Sequence, residues 1–127
     1  MARRPLIAGN WKMYKTLAEA RALAQAVVEA ATGLEDRDVM VAPPCTALTV
    51  VAAVVAESGV MLASQNVHWE EEGAYTGEIS PDMLRDLGAR MAIVGHSERE
   101  RARSPGKSRR IQTEALHQFC QTGHLRA

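Results

Sequence analysis

Asn10-Trp11-Lys12, Gln65-Asn66 and Gly95-His96-Ser97-Glu98 each follow a short apolar run, and together they hold a cation, side-chain amides, an imidazole and carboxylate. The chain has no G-x-S-x-G turn to present a nucleophilic serine, so acyl transfer is not the chemistry these groups suit. Proton transfer or anion binding fits them better. Where such chemistry develops negative charge on an oxygen, preorganised donors aimed at that oxygen lower the barrier. Lys12 supplies a compact point charge and His96 an imidazole. Taken singly, Lys12 reads as a solvated surface charge and His96 as a satisfied structural histidine. They become a site only if the fold brings them together.

The elements that must do so alternate between apolar runs and amphipathic stretches, the pattern of βα units around a parallel sheet. Pro5–Asn10 reads as a first strand. Thr16 with Glu19 has the spacing of a capping box, and Leu17, Ala20, Ala24, Val27 and Ala31 then recur on one helical face that Gly33 ends. Asp38–Ala42 reads as a second strand stopped by Pro43-Pro44, and Thr46–Ala56 as the next helix. Val60–Ser64 is a third strand, followed by an aperiodic loop from Gln65 to Glu78. Ser80-Pro81 gives an N-cap and an N1 proline for a short helix closed by Gly88, and Met91–Val94 is a fourth strand. In such α/β sheets, reacting groups gather where strands end and loops begin, which is where all three polar clusters fall.

The segments Gly9–Met13, Gly73–Ser80 and Ile93–Arg99, reading GNWKM, GAYTGEIS and IVGHSER, resemble the triosephosphate isomerases in order and spacing. The resemblance runs from about Arg4 to Arg99. It implies an α/β fold of parallel (βα) units, the N-terminal half of a TIM (β/α)8 barrel. It also implies an intramolecular aldose–ketose isomerase that interconverts dihydroxyacetone phosphate and D-glyceraldehyde 3-phosphate through an enediolate, in glycolysis and gluconeogenesis. Residue by residue, it makes Lys12 and His96 catalytic, Asn10 and Lys12 substrate-binding, and Ser97 and Glu98 supporting. The family is itself the standard example of a histidine kept neutral at a helix N-terminus. Thr76 matches a threonine at the family's dimer interface, so a cytoplasmic homodimer is implied, with a small phosphorylated triose as substrate and no cofactor or metal. The family's glutamate base, its lid and its phosphate site lie in the second half of the barrel.

Composition agrees with a globular domain: 127 residues, 46% hydrophobic, 24% charged and no net charge. That balance gives no global field to recruit nucleic acid or an anionic membrane. The longest apolar tract, Val50–Ala56, is too short to span a bilayer, the start does not form a signal peptide, and the two cysteines, Cys45 and Cys120, suggest no disulfide framework. A soluble protein of a reducing cytoplasm is expected.

Charge is nonetheless uneven. Residues 1–98 hold 8 Lys/Arg against 13 Asp/Glu, whereas residues 99–127 hold 7 against 2. The expected organisation is therefore a half-barrel over 1–98 and a divergent basic linker and helical tail over 99–127, from a shifted reading frame or a truncated gene. Ile111, Ala115, Leu116 and Phe119 give the tail an apolar stripe. Gly106-Lys107-Ser108 lacks the first glycine of a P-loop, and His117, Cys120 and His124 lack a fourth zinc ligand. A second function class stays open beside the isomerase: a non-catalytic half-barrel that self-associates or binds phosphate weakly.

Overall fold

The computed structural model describes residues 3–102. The chain runs β1 (Leu6–Asn10), α1 (Leu17–Ala31), β2 (Asp38–Ala42), a 3-10 turn (Cys45–Ala47), α2 (Leu48–Val55), β3 (Val60–Ser64), α3 (Pro81–Asp86), β4 (Met91–Ala92) and α4 (Ser97–Ala102). The strands form one sheet in the order β1-β2-β3-β4, every pair parallel. Leu6 lies beside Asp38, Val39 beside Val60 and Ala63 beside Met91. The parallel α/β half-barrel is therefore the observed architecture.

Local chemistry explains most boundaries. Glu19 reaches back to accept from the Thr16 N–H at 2.8 Å and from the Thr16 hydroxyl at 2.9 Å, which satisfies a donor the helix start leaves orphaned. Ser80 Oγ accepts from the Met83 N–H at 3.2 Å, with Pro81 at the position where a missing N–H costs nothing. Gly33 and Gly88 take φ of 81° and 79° where α1 and α3 end, a conformation glycine adopts without a Cβ clash.

Three expectations shift. The helix expected over Thr46–Ala56 opens as a 3-10 turn and becomes α-helical only over Leu48–Val55, because Pro43 and Pro44 leave the first turn to tighten. The fourth strand shortens from Met91–Val94 to Met91–Ala92, since β3 ends at Ser64 and the chain turns at Gly95, φ 70°. Leu17 does not join the buried stripe of α1: as the first helical residue it stands 52% exposed, while Ala20 and Ala24 are fully buried. Helical side chains lean toward the N-terminus, which carries Leu17 past the packed layer.

The period-2 alternation of the strands divides the apolar residues between two faces. Val41, Val60 and Leu62 pack with Ala20, Ala24, Leu48, Val51 and Val55 of the helices. Met40, Ala42 and Ala63 form a second cluster with Met61, Met91 and Ile93, on the face a closed barrel would turn inward. Strand β1 lies at the edge, leaving Leu6 and Ile7 44% and 50% exposed. Among the described residues no helix is long and apolar enough to cross a membrane.

Candidate active site

At the C-terminal ends of the strands, Asn10, Lys12, Gln65, Ile93, His96, Glu98 and Arg99 line a cavity of about 120 Å³. Asn10 is the last residue of β1 and Gln65 directly follows β3. His96 follows β4 and immediately precedes α4, which Ser97 opens. The three polar clusters thus converge, and five of their residues face one space.

Lys12 is held in an unusual turn. Its φ is 54°, a left-handed conformation that costs a residue with a Cβ about 1–2 kcal/mol. Two side chains grip its backbone: the Lys12 N–H donates to Asn10 Oδ1 at 3.0 Å, and Gln65 Nε2 donates to the Lys12 carbonyl at 2.9 Å. From this turn the Lys12 ammonium reaches Glu98 Oε1 at 2.8 Å. The hydrogen bond to Glu98, and then the carboxylate's charge, hold the Lys12 amine above its ordinary range, with partial desolvation opposing.

His96 Nδ1 accepts the Glu98 backbone N–H at 3.2 Å. A nitrogen that accepts carries no proton, so neutral His96 bears its hydrogen on Nε2. Glu98 Oε2 lies 3.6 Å from the same Nδ1, which places one carboxylate between the lysine and the imidazole. The arrangement offers a fixed cation, a side-chain amide and an imidazole donor on one rim, a set of donors for an oxygen that gains negative charge.

Ser97 is exposed at the start of α4 and does not line the cavity. Thr76 also stands apart, exposed in the loop between β3 and α3. That loop is pinned from within: His68 N donates to Ile79 O at 2.7 Å, Asn66 Nδ2 to Glu78 Oε2 at 2.9 Å, and Glu78 N to Tyr75 O at 3.0 Å. The buried His68 ring packs against both Trp69 and Tyr75, with centroids 3.9 Å and 4.2 Å away. Trp11 is buried in the helix-side core and Trp69 packs against it, both as packing residues, and Glu70, Glu71 and Glu72 are solvent-exposed.

Sequence reasoning passed over Arg99 as the start of a linker, although it lines the cavity and belongs to α4, which runs through the 98/99 boundary. Its place at the end of the Ile93–Arg99 motif was the available signal. The apolar stripe at 111–119, the Gly106-Lys107-Ser108 segment and the His117, Cys120 and His124 set lie outside the described residues.

The family model described as triosephosphate isomerase matches residues 5–122. A triosephosphate isomerase of Chloroflexus aurantiacus is 55% identical over 95 residues, covering 75% of this chain and 38% of that protein. One from Trichlorobacter lovleyi is 50% identical over 97 residues, covering 76% and 39%. The crystal structure of triosephosphate isomerase from Bartonella henselae superposes with a TM-score of 0.81 at 31% identity, over 95% of this chain and 48% of that one. The chain spans less than half the length of these relatives. A family-model match from residue 5 to residue 122, with about half the residues shared over the 95 and 97 aligned positions, makes the chain a member of the triosephosphate isomerase family.

Proposed function

We propose that this rim is the electrophilic half of an isomerase site for dihydroxyacetone phosphate and D-glyceraldehyde 3-phosphate. The observation that carries the reading is the convergence of Asn10, Lys12, His96 and Glu98 on one cavity, with the lysine already ion-paired and His96 Nδ1 already occupied. Lys12 and Asn10 bind the substrate's oxygens. As the proton leaves carbon, charge develops on the carbonyl oxygen, where the Lys12 ammonium and the His96 Nε2–H stabilise it. Glu98 holds both groups in place and Ser97 opens the helix behind them. The carbon-bound proton needs a base, which the family supplies from the barrel's second half, so the 127-residue chain by itself turns over no substrate. A general base typically contributes ~10²–10⁴-fold, and orientation by the lid and phosphate site is lost with it. In the whole enzyme the reading implies a cytoplasmic homodimer with Thr76 at its interface, acting in glycolysis and gluconeogenesis.

Titration of dihydroxyacetone phosphate into the isotope-labelled chain tests the site directly. Chemical-shift changes concentrated at Lys12, Gln65 and His96, and larger than those caused by inorganic phosphate, are expected. Changes confined to other residues would overturn the assignment.

A second reading is a non-catalytic half-barrel that self-associates or binds phosphate weakly, and one observation, the exposed β1 edge with Leu6 and Ile7, favours the self-association. Equal responses at the rim to phosphate and to the triose would favour it.

A further inference from the structure

We propose that Gln65 is the positioning residue for Lys12: its side-chain amide, reaching from the end of β3 to the turn after β1, fixes the backbone from which the lysine meets Glu98 over the cavity. Gln65 Nε2 donates twice, to the Lys12 carbonyl at 2.9 Å and to the Ala42 carbonyl at the end of β2 at 2.9 Å. Ala42 O also receives the Trp11 N–H at 3.0 Å. One double donor and one double acceptor thereby tie three strand ends together, and Lys12 sits in the knot.

The chemistry demands a glutamine. A side-chain amide has two hydrogens to give, and both are used here. A glutamate of the same length has only acceptors, which would face two carbonyl oxygens. An asparagine is one methylene short of reaching both strands. Methionine keeps the length and bulk but donates nothing. Lys12 needs such a grip because its φ of 54° is one that a residue with a Cβ leaves unless its neighbours over-determine it. Asn10 restrains the N–H side of the turn and Gln65 the carbonyl side. Release of the carbonyl side lets the backbone relax to negative φ, which reorients the Cα–Cβ bond and swings the ammonium off Glu98.

This inference deepens the isomerase reading, because that reading uses the Lys12 charge. Its test does not pass through turnover, so the two fail separately. The chain has three lysines, Lys12, Lys15 and Lys107, and competitive acetylation with mass-spectrometric readout follows each. An ion-paired ammonium acylates slowly. With Gln65→Met, the Lys12 rate should rise about threefold relative to Lys15, the equivalent of half a pKa unit, while the circular-dichroism spectrum is unchanged. Gln65→Glu should do the same. In a Glu98→Gln background Lys12 is already released, so adding Gln65→Met should change its rate no further, which a general loosening of the fold would not reproduce. An unchanged Lys12-to-Lys15 ratio in Gln65→Met, or a full additional rise in the Glu98→Gln background, would overturn the proposal. Should the variants not fold, scalar couplings across the hydrogen bonds from the Gln65 side-chain nitrogen to the Lys12 and Ala42 carbonyl carbons decide it in the unmodified chain: their presence supports the clamp and their absence overturns it.

Discussion

Lys12 combines a strained backbone with a paired side chain, and both have measurable consequences. Because Glu98 raises the Lys12 pKa in the folded state, the stability the pair contributes is fully present below the ordinary lysine value of 10.5 and is lost as pH rises through the raised value. Both side chains are about half exposed, so the amount is small. Urea unfolding at a series of alkaline pH values should show the midpoint of the unmodified chain falling more steeply than that of Glu98→Gln; parallel curves would remove the pair from the account. Glu19 has the opposite sign. Its carboxyl lies below its ordinary range because it accepts from the Thr16 backbone and hydroxyl, so its contribution is present above the usual carboxylate pKa and disappears as pH falls through the lowered value. At this scale the sequence was informative about identity and blind to conformation. Asn10, Lys12, His96 and Glu98 stood out by type and spacing, but the left-handed turn at Lys12 and the double hydrogen bond from Gln65 depend on distances between strand ends that only the folded sheet sets.

Among the elements, α3 shows how a short helix is fixed by few groups. Ser80 caps it, Pro81 starts it, and Leu84, fully buried, anchors it to the helix-side core. Leu84→Ala should destabilise the chain by about 2–5 kcal/mol, since it removes buried methylenes and leaves a cavity. Ser80→Ala should cost about 1 kcal/mol through one unsatisfied helix N–H. Denaturant unfolding with unchanged slope measures both, and a Leu84→Ala loss below that of Ser80→Ala would contradict the packing described. Element positions were legible because periodicity, caps and glycines agree: β2 and β3 lie where alternation and the flanking proline and glycine put them. Element ends were less so. The 3-10 opening before α2 and the two-residue β4 are set by proline geometry and by how far the neighbouring strand extends, neither of which is periodic.

For the whole molecule, the parallel order β1-β2-β3-β4 and the apolar cluster of Met40, Ala42 and Ala63 on its second face describe half of a closed barrel. The family model extends past Arg99 to residue 122, so the proposal of a divergent region after residue 98 rests on the charge reversal and on where the Ile93–Arg99 motif ends. Sedimentation of the 127-residue chain should show concentration-dependent association, through the loop around Thr76 or through the β1 edge; Thr76→Arg weakens it in the first case and Ile7→Lys in the second. A monomer at all concentrations would exclude both.

The central claim, that Lys12 stabilises charge on a reacting oxygen, is tested most directly by joining residues 1–98 to the second half of the Chloroflexus aurantiacus relative and measuring isomerisation of glyceraldehyde 3-phosphate. The account predicts an active fusion whose kcat/KM falls by about 10²-fold or more with Lys12→Ala, the loss expected when a donor to developing negative charge is removed. An active fusion whose rate is unchanged by Lys12→Ala would contradict it.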